Sequence, residues 1–297
     1  MKLLKLVRIE NLILLAVTQL IFRYGFLELQ PQLPLALSHW QYALLVLASV
    51  LIAAAGSIMY TISGPDRHNQ AISEEKGYNT FIILNVIALS IGAYLSYYIG
   101  NIQFVTAFVI ASAMLYIGAT NFRSTLLVPN ILTALTVGLS LLIIGVFNLY
   151  PFMQFEGWQY FRTVFNILLD YSYLAITLAF ILTLVNDLKN TDEDYNSGKA
   201  TLSIALGRDR AAKVVFFITI IPVAMILYYG NTYLIDYLYA LGFGLIFILG
   251  PLIYFGIKLW TAKNNSDYAH LAIVLKLVML FSAISVLVVT LNLANNA

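Results

Sequence analysis

The sequence predicts an all-α integral membrane protein, with nine transmembrane helices bundled around a central cavity. Three observations predict it. The chain is 61% hydrophobic and 10% charged, with mean hydropathy +0.86, where a soluble domain carries about 25% charged residues. Nine apolar windows recur along its 297 residues, each long enough to cross a bilayer as a helix. The runs are continuous, as in LLVLASVLIAAAG, whereas a transmembrane barrel shows short segments of alternating polarity.

The windows lie near 9–29, 39–61, 78–97, 103–121, 127–148, 164–185, 211–229, 232–258 and 270–294. Gly100-Asn101 and Gly230-Asn231 supply the turn signals that split the two longest apolar stretches. The opening MKLLKLVRIENLILL has the basic start and apolar run of a signal peptide. No small-residue cleavage site follows, so it reads as a retained first helix. The whole chain, 1–297, is then one transmembrane domain with polar loops near 62–77 and 186–210. Each loop follows the second helix of a four-helix group, a spacing that suggests two similar units plus a ninth helix.

The connections alternate in charge. Lys2, Lys5, Arg8, Arg67, Lys76, Arg123, Lys189, Lys199, Arg208, Arg210, Lys213, Lys258 and Lys263 fall on one side, with Arg162 the clearest exception on the other. By the positive-inside rule the N-terminus and both polar loops are cytoplasmic, and the C-terminus is outside, in a multi-pass protein of the cell inner membrane. Trp40, Trp158 and Trp260 sit near helix ends, where an aromatic belt would place them. The absence of cysteine excludes disulfides and thiolate metal sites. A net charge of +2, scattered along the chain, argues against nucleic acid as a partner.

Chemistry concentrates in one polar block, NDLKNTDEDYNSGKATLSIALG, from Asn186 to Gly207. It holds Asp187, Asp192, Glu193 and Asp194, four of only fourteen acidic residues. Carboxylates at the mouth of a membrane helix are costly and usually have a partner. Asp187, Asn190 and Asp194 recur at helical spacing, which puts two carboxylates and an amide on one face. Magnesium takes oxygen ligands and commonly uses one or two carboxylates plus substrate phosphates. A diphosphate so held would have its leaving-group charge neutralised. The spacing also suits a solvated loop whose acids balance Lys189 and Lys199, and both readings stand at this point.

The stretch Asp187, Asn190, Asp194, Gly198, Thr201, Leu202, ending in LGRDRAAK, resembles the second aspartate-rich motif of the UbiA-type intramembrane prenyltransferases. LVRIENLILLAVTQ resembles the family's first helix, and NFRSTLLVPNILTAL its fourth-to-fifth connection, so the resemblance runs through nearly the whole chain. It implies Mg2+-dependent transfer of a polyprenyl group from its diphosphate to a lipid or aromatic acceptor held in the membrane. It implies Asp187 and Asp194 as the catalytic, metal-holding pair, and Asn190, Arg123, Lys199, Asn130 and Arg67 as substrate-binding residues. One departure is pronounced. The family's first motif has the form Asn-x-x-x-Asp-x-x-x-Asp at the end of the second helix; here those positions read Tyr60, Gly64 and His68, with Asp66 out of register by two. In the second motif, Asn190 stands where an Asp is usual. Beside a working transferase, the sequence therefore admits a catalytically impaired relative that binds a lipid or a partner. A small-molecule transporter is a further alternative, resting on Arg23 and Asp170 inside apolar windows. Asp170 lies too far along its helix to share a metal with Asp187, and Arg23 and Lys276 read as residues that snorkel to the surface. Tyr116, Tyr171 and Tyr173 read as packing residues or as cavity lining, and Pro222 and Pro251 as helix kinks.

Overall fold

The structure, a computed structural model, describes residues 6–30, 33–63, 72–152, 158–196 and 198–296, with backbone alone for Trp158 and residues 293–296. Among these residues nine helices are long and apolar enough to span a membrane: Ile9–Leu27, His39–Ile62, Glu74–Tyr98, Ile102–Ala119, Val128–Phe152, Gln159–Lys189, Arg208–Tyr233, Leu238–Thr261 and Asn265–Asn292. All nine windows are found. Helices are the expected solution, because a bilayer offers no water to satisfy free backbone groups.

Several boundaries differ from expectation, for local reasons. Gly100 does turn the chain, with φ +76°. Gly230-Asn231 does not: both lie inside Arg208–Tyr233, the Gly230 carbonyl accepts from Leu234 N–H at 3.1 Å, and the break comes at 234–237. The sixth and ninth helices run past their apolar windows and carry Arg162, Asp187, Lys189 and Asp267. The polar block is not an open loop. The sixth helix continues to Lys189, then come short helices Thr191–Asn196 and Leu202–Leu206 before Arg208. Gly198 and Gly207 make the turns between them at φ +66° and +81°, a conformation that costs glycine little. In the eighth span a π-helical segment, Gly244–Leu249, precedes Pro251, so the irregularity there is a helix distortion.

The sixth span is the axis of the bundle. Its first half, through Val164 and Leu168, packs into a core with Phe22, Tyr42, Phe108 and Phe147. Its second half, Leu174 to Leu188, packs into another core with Leu252, Phe255, Tyr268 and Leu275. Small residues allow the helices to approach closely, as lipid-embedded packing requires. A Cβ on Gly138 would fall 2.3 Å from Ile176, so the fifth and sixth spans touch there at backbone range.

Polar groups cross-link the first span to its neighbours. Gln19 is fully buried; its Nε2 donates to Ser49 Oγ at 3.1 Å and to the Ser140 carbonyl at 2.7 Å. Arg23 does not snorkel: it is 3% exposed at the end of the bundle opposite the polar block. Its guanidinium donates to Asn148 Oδ1 and to the Leu37 carbonyl, both at 2.7 Å, pairs with Glu28 at 3.0 Å and lies over the Tyr42 ring. The π-helical turn Arg23–Leu27 carries it there. Lys276 likewise has a partner, Glu10 at 2.7 Å, which ties the ninth span to the first.

Candidate functional site

A cavity of about 300 Å³ opens among the first, second, fourth, fifth, sixth and ninth spans. Its polar mouth is built at the polar-block end, where helix ends converge. The start of the first span brings Arg8 and Asn11, and the end of the second brings Tyr60. The connection before the fifth span brings Arg123, the fifth span Asn130, and the polar block Asp187, Asn190 and Lys199. Below this ring the wall is mostly apolar.

The four acids of the polar block separate. Asp187, in the last turn of the sixth span, is on the cavity wall, where its Oδ2 accepts from Asn130 Nδ2 at 2.7 Å. Asn190, one turn on, shares that face. Asp194 is 3% exposed, and its Oδ1 is ion-paired to Lys199. Asp192 pairs with Arg208 at 3.1 Å near the surface, and Glu193 is exposed. The two expected metal-holding aspartates are therefore not equivalent: Asp187 lines the cavity, while Asp194 stands behind it and holds a lysine that does.

Basic groups complete the mouth. Arg123 has a buried Nη1 with no hydrogen-bond partner among the described residues. Burial pulls its guanidinium below the usual arginine range, and the nearby Asp194 charge pulls it back; an arginine so placed remains a cation. Arg8 adopts left-handed backbone angles, φ 52° and ψ 55°, just before the first span. Leu127, before the fifth span, is the other non-glycine residue at positive φ among those described. Such conformations cost about 1–3 kcal/mol and are found clustered at functional sites; Arg8 lines this mouth.

Tyr60 closes one side. Its hydroxyl is 3.2 Å from Thr133 Oγ1 and 3.4 Å from the Pro129 carbonyl, so it links the second span to the fifth. Gly118 leaves it room, since a Cβ there would be 2.7 Å from the hydroxyl. Thus a phenol occupies the place that the resemblance gives to the first metal ligand. Gly64, Asp66, Arg67, His68 and Asn69 lie outside the described residues. Among the described residues no group of three or more His, Cys, Asp or Glu could hold a metal ion.

Of the other candidates, Tyr171 lines the cavity, while Tyr116 and Tyr173 are exposed on the bundle surface. Asp170 faces elsewhere, accepting from Tyr229 at 2.8 Å. Arg8 and Asn11 escaped the sequence reading as site residues. Their nearness in RIEN, polar residues at the start of the first helix, was a usable signal.

No protein-family model and no curated protein matches the sequence. Solved structures do. The chain is similar to digeranylgeranylglyceryl phosphate synthase, with TM-score 0.64 and 18% identity over 97% of both chains. It is similar to a UbiA homologue from Archaeoglobus fulgidus solved with DMAPP and Mg2+, with TM-score 0.62 and 15% identity over 96% of this chain and 99% of that one. An apo UbiA homologue from Aeropyrum pernix K1 gives TM-score 0.66 and 13% identity over 97% and 98%. At these identities the likeness is one of architecture, and the chain has the fold of the UbiA-type intramembrane prenyltransferases.

Proposed function

We propose that the chain is an intramembrane prenyltransferase that moves a polyprenyl group from its diphosphate to a lipid or aromatic acceptor. One observation carries this reading: a single cavity joins a mouth of cations, amides and a carboxylate to a mostly apolar interior. That combination suits an amphiphile with an anionic head and a hydrocarbon tail. Relatives in fold were solved with DMAPP or GPP and Mg2+, which supports the same assignment.

A magnesium ion fits the donor set, which offers Asp187 and Asn190 on the wall and leaves room for diphosphate oxygens. When bound, it would neutralise charge developing on the leaving group. Asn130 orients Asp187 through its hydrogen bond. Arg123, Lys199 and Arg8 neutralise the remaining diphosphate charge, as basic side chains do well. Asp194 keeps Lys199 at the mouth, and Arg67 joins the substrate-binding set on the strength of the resemblance. In the reaction, the bond between prenyl C1 and the diphosphate oxygen breaks and its electron pair leaves with the diphosphate. The acceptor's nucleophilic atom bonds to C1, and its proton passes to the released diphosphate. The apolar wall keeps water from the allylic centre. The N-terminus and the mouth face the cytoplasm in this reading, which the charge pattern of the connections supports.

Purified protein in nanodiscs, given Mg2+, a prenyl diphosphate and lipid or quinone-precursor acceptors, should release pyrophosphate. Tyr60 in a ligand's place favours the second reading, a retained fold without turnover. Binding of the prenyl diphosphate without pyrophosphate release, whichever acceptor is supplied, would select that reading.

Lys199→Met should weaken binding of an unreactive prenyl thiodiphosphate about tenfold, whereas Lys199→Arg should retain most of it. Equal affinity in all three proteins, measured by calorimetry, would remove Lys199 from the mouth's function.

A further inference from the structure

The cavity has a floor, and its depth bounds the tail. Along the sixth span the lining runs from Asp187 to Tyr171, sixteen residues, or about 24 Å at the α-helical rise. Along the second span it runs from Tyr60 to Ser49, eleven residues, or about 16 Å. The polar ring takes roughly the first turn, about 5 Å. An extended chain advances about 1.2 Å per bond, judged from the reach of a polypeptide. An isoprene unit contributes four bonds, or about 5 Å, so two to four units fill the remaining depth of about 11–19 Å.

The floor is rigid. Phe22 and Phe108 line it and are 1% and 2% exposed. Phe22 meets Tyr171 edge-on at 5.2 Å, and Phe108 meets Phe147 at 5.6 Å. Behind Phe108 is the backbone of Gly92, where even a Cβ would fall 2.6 Å from the ring. Interiors packed in this way do not yield to a longer chain without rearrangement.

We propose that the donor is a prenyl diphosphate of ten to twenty carbons, with Phe22 and Phe108 as the stop. Ala53 lines the cavity seven residues below Tyr60, about two turns down. A large side chain there raises the floor to the depth of about one isoprene unit. This inference rests on the proposed function for the identity of the head group.

The test is a series of prenyl diphosphates from five to fifty carbons, assayed for turnover, with unreactive thiodiphosphate analogues assayed for binding. The optimum is expected at ten to twenty carbons, with kcat/KM at least about tenfold lower at thirty. Ala53→Phe should move the optimum to five carbons, and Phe108→Leu should extend the longest accepted donor by one unit. Ala53→Leu, a smaller change, guards against misfolding of the Phe variant and should shift preference the same way. Equal use of thirty- to fifty-carbon donors, or an optimum unmoved by either Ala53 variant, overturns the proposal. Chain-length-dependent binding without turnover of any donor would leave it standing while defeating the transferase reading.

Discussion

Asp187→Ala should lower the rate of pyrophosphate release by about a hundred- to a thousandfold, the range seen when one pre-organised charge-stabilising group is removed. Asp187 is the carboxylate on the cavity wall, and the fifth span supplies an amide that holds it in one orientation. Asp192, five residues away, is the internal control. It is exposed and pairs with Arg208, so Asp192→Ala should leave the rate within about twofold, as expected of a surface ion pair. Asp187→Asn separates charge from shape. It preserves an acceptor for Asn130 Nδ2 and should fold normally, yet lose most of the rate. Full activity in Asp187→Asn, with an unchanged melting temperature, would mean that no cation is organised from this carboxylate.

The largest effect on stability is expected at the other end of the bundle. Arg23→Met should destabilise the folded protein by about 2–4 kcal/mol, because it takes a charged donor from two buried acceptors at once. Here Glu28 loses its ion pair, and Asn148 Oδ1 and the Leu37 carbonyl lose donors, all at once. Those groups come from the first span, the connection after it and the fifth span, so one side chain joins three separate parts of the chain. The measurement is thermal unfolding in detergent or nanodiscs. Adding Glu28→Gln should change little further, since Glu28 is exposed and its charge stays in contact with water. A melting temperature within a degree or two of the parent would show that water or lipid headgroups already satisfy Arg23.

The membrane helices were legible because the bilayer imposes a simple rule: backbone groups must pair within the segment, and side chains must be apolar for the length of the hydrocarbon layer. Local turn chemistry was less reliable. Gly100 turns the chain, while Gly230 stays helical because its carbonyl still finds an i+4 donor. In the site, Asp187 was legible from cost alone, since a carboxylate at a membrane helix end needs a partner. Its partner, Asn130, lies 57 positions away, and periodicity carries no information across that distance. Tyr60 was recognised as a departure, but its contact with Thr133 and its seat on Gly118 depend on how three helices pack. Arg23, read as a snorkelling residue, is held inside by groups distant in sequence.

The amino-acid sequence alone determined that this chain carries nine segments apolar enough to span a membrane and a cluster of four acids at one helix mouth, because hydropathy and helical spacing are local properties. Only the tertiary structure decided that Asp187 faces the cavity while Asp194 is turned to Lys199, that Arg8 and Asn11 join the mouth, and that Phe22 and Phe108 line the apolar space. Those outcomes depend on which helices meet and at what height, and long-range packing sets both.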